Sequence, residues 1–189
     1  MYSGILFQEA PFKIEGLYLY QAERHHAETK FILDLLGKTM ERVITEKTYP
    51  DFWPDLYDRF LLLVGTIENN QRKEETIFFP FVLKMLAILQ GDDRVDFPVR
   101  TKVQQPIDLI CREHQRVLKI MDEIKELTHN YSLKQIACGE GKICLAELFN
   151  LHQSLEKHFF LEENILFEQV FFMENCLKEN NPGFLNNIV

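Results

Sequence analysis

Apolar side chains recur at alternating spacings of three and four residues along four long segments, and this periodicity limits what the chain can fold into. Spacing of this kind gives a helix one continuous apolar face. The segments cover approximately residues 17–46, 54–89, 107–127 and 142–177. The stretches between them carry turn formers, and no alternating strand pattern is present. The sequence therefore predicts an all-α fold, an up-down four-helix bundle at about residues 17–178 of a single domain spanning 1–189, with N- and C-terminal extensions.

Three prolines refine the predicted helix boundaries. Pro54 and Pro106 stand where a helix would begin, and proline is tolerated in a first helical turn because its missing N–H would have no partner there. Pro80 stands inside the second segment, where a proline removes a backbone hydrogen bond and its ring clashes with the preceding turn. We expect the second helix to kink or end at Pro80.

Composition excludes several classes of function. The chain of 189 residues is 46% hydrophobic and has a formal net charge of −8, whereas nucleic-acid binding needs clustered Lys and Arg. No run of about 18 apolar residues is long enough to span a membrane. The first residues lack the basic region and cleavage site of a secretory signal, so a cytoplasmic location with reduced cysteines is expected. The expected partners therefore include neither nucleic acid nor a membrane, and the oligomeric state stays open.

Polar residues interrupt the apolar faces, and their positions repeat. Three pairs of polar residues are each separated by 88 positions (114 − 26, 158 − 70 and 162 − 74): His26 and His114, Asn70 and His158, and Glu74 and Glu162. The flanking sequence IENNQRKEETIFF at 67–79 falls at the same offset on LEKHFFLEENILF at 155–167. The predicted inward faces continue beyond the two glutamates through Ile77 and Ile165. Two similar helical hairpins packed together would bring the six polar positions to one level of the core.

Buried carboxylates and imidazoles at one level of a core require compensation. An unpartnered carboxylate in an apolar interior is strongly unfavourable, and a bound metal cation removes that cost. Residues four apart on a helix lie on the same face, so His158 and Glu162 offer a nitrogen and a carboxylate to the same point. Ligation by nitrogen and oxygen without thiolate suits iron or manganese, and the ligand types alone leave zinc open.

The stretches EHQRVLKIMDEIKELTHNY at 113–131 and LHQSLEKHFFLEENILF at 151–167 resemble the hemerythrin-like (HHE) domain. Within that family they are most similar to the repair-of-iron-centres proteins, which bind non-haem di-iron. The resemblance covers roughly residues 20–175 and is strongest in the second half. It implies that two irons are bridged by an oxygen and by two glutamates. The ligands that it implies are His26, Glu74, His114, His158 and Glu162.

The first half departs from the family pattern at Asn70, where the resemblance implies a histidine. Asparagine is a weak, neutral oxygen ligand, so one metal position lacks a strong donor. Water, Asn70 itself and the neighbouring His25 are alternatives for that position. A single metal held by His114, His158 and Glu162, a manganese or zinc site, and a site that no longer binds metal also stay open.

Other histidines and aromatic residues receive less specific predictions. His152 precedes His158 by six positions, about 240° around a helix, which favours a surface position or a contact with a ligand residue. His129 is expected in a loop without a special role. One member of each glutamate pair, at 74–75 and 162–163, is expected to face solvent. Most phenylalanines of the second and fourth segments are expected in the core, where some could line a dry pocket for small apolar molecules.

The family resemblance implies a protein that binds non-haem iron. Its use would be binding or sensing of O2 or NO, or iron handling under oxidative or nitrosative stress, with iron-sulfur cluster repair as a narrower role. Two alternatives come from other classes. The first is a structural or regulatory helical bundle with a degenerate or single-metal site, and Asn70 motivates it. The second is a di-iron oxidase or peroxidase, which the sequence supports least because no substrate pocket is recognisable.

Overall fold

The computed structural model describes residues 10–46, 50–91 and 102–180, and most of these residues are helical. Along the chain the elements are α1 (Ala10–Glu46), α2 (Trp53–Lys73), the π-helical turn π1 (Glu74–Phe78), α3 (Phe79–Leu89), α4 (Gln104–Leu127), a 3₁₀ turn (Leu133–Gln135), α5 (Gly139–Leu161), the π-helical turn π2 (Glu162–Leu166) and α6 (Phe167–Asn180). No strand occurs within the described ranges, and the predicted all-α bundle class is confirmed.

The helix boundaries follow the sequence prediction with local differences. Helix α1 begins at residue 10 rather than 17, and α4 begins at residue 104 rather than 107. Pro54 and Pro106 lie in the first turns of α2 and α4, as predicted. Regular α-helical bonding stops at Glu74 and resumes at Phe79, so the interruption predicted at Pro80 lies on its N-terminal side. None of the described helices combines the length and the apolar character that crossing a membrane requires.

The described residues form two compact units, of which the first carries the histidines. This histidine-bearing unit comprises residues 24–71 and 112–159 and contains all 6 histidines of the chain. Its core is built from α1, α2, α4 and α5 and includes Trp53 and Phe60. On α4 the predicted inward residues Val117, Met121 and Ile124 are each 0% exposed, which confirms the predicted face of this helix.

The second unit carries both π turns. This π-turn unit comprises the described residues among 1–23, 72–111 and 160–189. Helices α3 and α6 pack against each other here, and the rings of Phe78 and Phe167 meet edge to face with centroids 5.2 Å apart. The backbone N–H of Val103 donates a hydrogen bond of 3.1 Å to the Glu174 carboxylate. The start of α4 is thereby joined to α6.

Each π turn adds one residue to its helix and shifts the inward face by one position. Phe78 is 1% exposed, whereas Ile77, which the regular spacing placed in the core, is 44% exposed. After π2 the buried residue is Leu166, and Ile165 is only half-buried. The prediction for Ile77 is therefore wrong, because a constant α-helical period does not account for the additional residue of a π turn.

Candidate metal centre

Two groups of potential metal ligands occur in the described part of the chain. The first consists of His26, Glu74 and His158, and the second of Glu74, His114 and Glu162. Within each group one nitrogen or oxygen atom per residue lies within 4.8 Å of the others. Glu74 belongs to both groups. The structure therefore brings together the five residues that the family resemblance implied as ligands.

Burial gives these groups their chemical significance. Glu74 and His114 are 0% exposed, Glu162 is 4% exposed and His26 is 5% exposed. Two buried carboxylates are strongly unfavourable next to apolar surroundings unless cations or hydrogen bonds compensate them. The donors are imidazole nitrogens and carboxylate oxygens without a thiolate, a set that suits iron or manganese. The donor set fits a non-haem iron site.

Both glutamates stand at an irregularity of the helix backbone. Glu74 is the first residue of π1 and Glu162 is the first residue of π2. The carbonyl of Glu74 accepts from the Phe79 N–H and that of Glu162 from the Phe167 N–H, each five residues on instead of the four of an α-helix. Single π turns inside α-helices occur frequently at functional sites. The neighbouring Glu75 and Glu163 are exposed, as predicted.

Ring contacts orient the histidines within the histidine-bearing unit. The His114 ring stacks on Phe159 with centroids 3.9 Å apart and an angle of 12° between the planes. The rings of His26 and His158 meet edge to face at 6.0 Å. An aromatic ring beside each imidazole restricts its rotation, so fewer orientations are lost when the nitrogen binds a ligand.

His25 takes a different role from the one considered for it in the sequence. Its ring stacks on His158 with centroids 3.8 Å apart and planes 10° apart. Its Nε2 lies 3.2 Å from the Ser154 hydroxyl and its Nδ1 lies 3.4 Å from the Thr29 hydroxyl. Neither group of potential ligands contains His25. In this arrangement His25 supports the His158 ring from α1.

Asn70 is buried, with 3% of its surface exposed, and it precedes Glu74 by four residues on α2. The first group of potential ligands contains two imidazoles, from His26 and His158. The second group contains only one, from His114. In the 88-residue repeat Asn70 corresponds to His158, so the two halves of the sequence differ by one imidazole at this position.

His152 and Tyr131 form a buried pair that the sequence did not reveal. The Tyr131 hydroxyl lies 2.8 Å from Nδ1 of His152, and His152 is 3% exposed, so a surface position for His152 was wrong. Burial lowers the pKa of His152 and raises the pKa of Tyr131. Which atom donates in this hydrogen bond depends on the tautomer of the His152 ring. His129, predicted in a loop, lies in the turn before Tyr131 with φ of 49°.

The cysteines lie outside both groups of potential ligands. The Cys138 sulfur accepts a hydrogen bond of 3.3 Å from the Gly141 N–H at the start of α5. Burial raises the pKa of Cys144 to about 12, which keeps this thiol protonated and unreactive at neutral pH. These two cysteines therefore act as structural residues of the histidine-bearing unit.

Comparison with known proteins connects this geometry with a family. The family described as Hemerythrin HHE cation binding domain matches residues 19–170. The iron-sulfur cluster repair protein ScdA of Staphylococcus epidermidis is 28% identical over 116 residues, which are 61% of this chain and 46% of that protein. The iron-sulfur cluster repair protein YtfE of Escherichia coli is 24% identical over 154 residues, 82% of this chain and 63% of that protein. This chain therefore spans about half to two thirds of the length of these curated relatives.

Proposed function

Because this chain belongs to the Hemerythrin HHE cation binding domain family, we propose that it binds non-haem iron through His26, Glu74, His114, His158 and Glu162. The observation that carries the proposal is the convergence of buried imidazoles and carboxylates in two groups that share Glu74. Cation binding by the family and the nitrogen and oxygen donor set both support iron. A cytoplasmic location stays a prediction.

The two groups suggest two metal positions with unequal donors. His26 and His158 would hold the first position, and His114 and Glu162 the second, with Glu74 shared between them. The 88-residue repeat relates His158 to Asn70, so Asn70 takes the place of an imidazole at the second position. Amide oxygen is a weaker ligand than imidazole for iron. We therefore expect the second position to bind its metal more weakly and to keep a coordination site for an exogenous molecule.

The use of the metal follows from this open site. Ferrous iron, when bound, supplies the electron density that O2 or NO needs in order to bind reversibly. We expect the buried Phe78 and Phe167 of the π-turn unit to limit the access of water to the two glutamates of the same unit. We propose binding or sensing of O2 or NO, or iron handling under oxidative or nitrosative stress. The names of the relatives add iron-sulfur cluster repair as a narrower proposal for this chain.

Metal analysis of protein purified from iron-replete cells tests the proposal. We expect between about one and two irons per chain, and a Glu74→Ala and Glu162→Ala double variant that has lost nearly all of it. Addition of NO to the anaerobic ferrous protein should then produce a new absorption and an electron paramagnetic resonance signal. Iron below about 0.2 per chain in the wild type, unchanged by reconstitution with ferrous iron, would refute iron binding.

Asn70 favours a second candidate function, a helical bundle that has kept the family fold with a degenerate site. This candidate predicts that removal of metal leaves the melting temperature unchanged. The proposed metal protein should instead lose stability on treatment with a chelator, because a ligand that binds only the folded state stabilises it. Thermal unfolding with and without ferrous iron distinguishes the two candidates.

A further inference from the structure

A buried carboxylate that belongs to neither group of potential ligands lies directly beside one of them. Glu113 precedes His114 on α4 and is 1% exposed. One carboxylate oxygen accepts a hydrogen bond of 3.1 Å from the Asn69 side-chain amide on α2. The other oxygen accepts a bond of 2.6 Å from the guanidinium of Arg116, one turn further along α4. Both oxygens of Glu113 are therefore engaged.

The hydrogen bond between Asn69 and Glu113 joins two residues that each directly precede a residue of the candidate metal centre. Asn69 directly precedes Asn70, and Glu113 directly precedes His114. A hydrogen bond between Asn69 and Glu113 fixes how α2 and α4 are rotated about their own axes. Because residue 114 is displaced by about 100° from residue 113 around the helix, the same bond fixes the direction in which His114 leaves α4.

The same two helices are linked a second time, which provides an internal control. Arg59 of α2 forms an ion pair of 3.0 Å with Glu123 of α4, and these side chains are 50% and 35% exposed. In both links the residue numbers add to 182 (59 + 123 and 69 + 113), which shows that the helices run antiparallel in constant register. The two links are about 15 Å apart along the helices. Only the link through Glu113 is next to potential ligands.

We propose that Asn69, Glu113 and Arg116 are positioning residues that set the orientation of the His114 imidazole. Burial of a carboxylate is unfavourable, and the Arg59–Glu123 pair already holds α2 and α4 together without it. The hydrogen-bonded carboxylate of Glu113 additionally fixes how α2 and α4 are rotated at this level of the histidine-bearing unit. Stacking on Phe159 then fixes the plane of the His114 ring. The effect on metal binding rests on the proposed function, whereas the orientation of the ring does not.

The experiment compares four test variants and one control variant with the wild type. Asn69→Ala and Arg116→Ala each remove one donor, and Glu113→Gln removes the charge. The double variant Asn69→Asp with Glu113→Gln exchanges acceptor and donor and can re-form the hydrogen bond. Glu123→Gln is the matched control, because it weakens the other link between the same helices. Circular dichroism verifies that each variant is folded. We expect Arg116→Ala to leave the fold intact, because the Arg116 side chain is 63% exposed.

Two readouts are measured. The first is the set of His114 ring resonances in nuclear magnetic resonance spectra of metal-free protein, assigned with His114→Gln. We expect Asn69→Ala, Arg116→Ala and Glu113→Gln to shift and broaden them, and the exchanged pair to restore them. The second is titration with Co(II) as the probe metal, in which these three variants should weaken the weaker binding step roughly 10- to 100-fold. Glu123→Gln should change neither readout.

Unchanged His114 resonances in Asn69→Ala and Glu113→Gln would overturn the positioning role. An equal change in Glu123→Gln would also overturn it, because the effect would then come from helix pairing in general. Should the wild type bind no Co(II) and no ferrous iron, the proposed function fails. The ring resonances of metal-free protein still decide the positioning role in that case.

Discussion

Residues 70–78 and 158–166 occupy equivalent positions in the 88-residue repeat, and both pass from an α-helix into a π turn that begins at a glutamate. They differ in the residue four positions before that glutamate, which is Asn70 in one and His158 in the other. Pro80 follows only the first π turn. The proline therefore does not explain the π turns, whereas the buried glutamate is common to both.

Side chains support the two π turns in corresponding ways. The Thr76 hydroxyl donates a hydrogen bond of 2.6 Å to the carbonyl of Arg72. The Asn164 amide donates one of 2.9 Å to the carbonyl of Phe160, the equivalent position in the repeat. Different residue types thus donate to the carbonyls at equivalent positions of the repeat. The same backbone geometry therefore presents a glutamate in both halves of the repeat, after Asn70 in one and after His158 in the other.

The largest expected difference between the two regions concerns metal affinity. His158→Ala should weaken the tighter metal-binding step by at least about 100-fold, because loss of a ligand costs more than loss of a supporting hydrogen bond. Asn70→Ala should weaken binding only a few-fold, since an amide oxygen contributes little. Titration of metal-free protein with Co(II) measures both. Equal losses of metal affinity in the two variants would contradict the proposed difference between His158 and Asn70 as ligands.

Restoring the repeat should have the next largest effect. Asn70→His adds an imidazole at the second position, and we expect it to tighten the weaker binding step roughly 10- to 100-fold. Asn70→Gln serves as the control for added side-chain volume. Isothermal titration compares the two variants with the wild type. An Asn70→His protein that binds metal no more tightly than Asn70→Gln would contradict the assignment of Asn70 to a metal position.

Removal of the side-chain hydrogen-bond donors of the two π turns should have a smaller effect, on the free energy of unfolding. Thr76→Val and Asn164→Leu each leave a carbonyl without its side-chain donor, and we expect each to lower the free energy of unfolding by about 1 kcal/mol. Thr66→Val is the control, because Thr66 makes the same type of bond to the Leu62 carbonyl inside α2. Urea unfolding measures all three. If Thr66→Val lowers the free energy of unfolding by as much as the other two variants, the stabilisation by these donors is not specific to the π turns.

The smallest expected effect is the pH dependence that His152 contributes in the histidine-bearing unit. Its pKa is lowered on folding by burial, partly offset by Glu156 and Asp122. Its stability contribution is therefore complete above the ordinary histidine pKa of about 6.5 and is lost as pH falls below that value. His152→Gln should flatten the decline in the stability of metal-free protein between about pH 7 and pH 5. An unchanged decline would mean that protonation of His152 does not contribute to the loss of stability in this pH range.

The sequence predicts regular elements well and irregular ones poorly. The inward face of α4 follows from spacing alone, because α4 keeps one period from end to end. The shift from Ile77 to Phe78 does not follow, since a π turn has no sequence signature that separates it from an α-helix. The 88-residue repeat and the family resemblance identified the potential ligands, because these residues break the apolar faces at equivalent positions.

The pair of Tyr131 and His152 could not be predicted for a different reason. His129, Asn130 and Tyr131 have φ values of 49°, 61° and 57°, a left-handed run without glycine that is uncommon. This turn brings the Tyr131 hydroxyl to α5. Hydrogen bonds from the Asn130 N–H to the Lys125 carbonyl and from the Tyr131 N–H to the Thr128 hydroxyl support the turn locally, whereas its contact with His152 joins residues remote in sequence and could not be predicted. The same holds for Glu113, whose partner Asn69 is remote in sequence.

The central claim is that buried imidazoles and carboxylates hold metal at two unequal positions. Anaerobic titration of metal-free wild-type protein with ferrous iron, followed by calorimetry, tests it most directly. We predict two binding steps whose affinities differ at least about tenfold, with the tighter step weakened at least about 100-fold in His158→Ala. Two equal steps would contradict the inequality, and the absence of any binding step would contradict the metal centre itself.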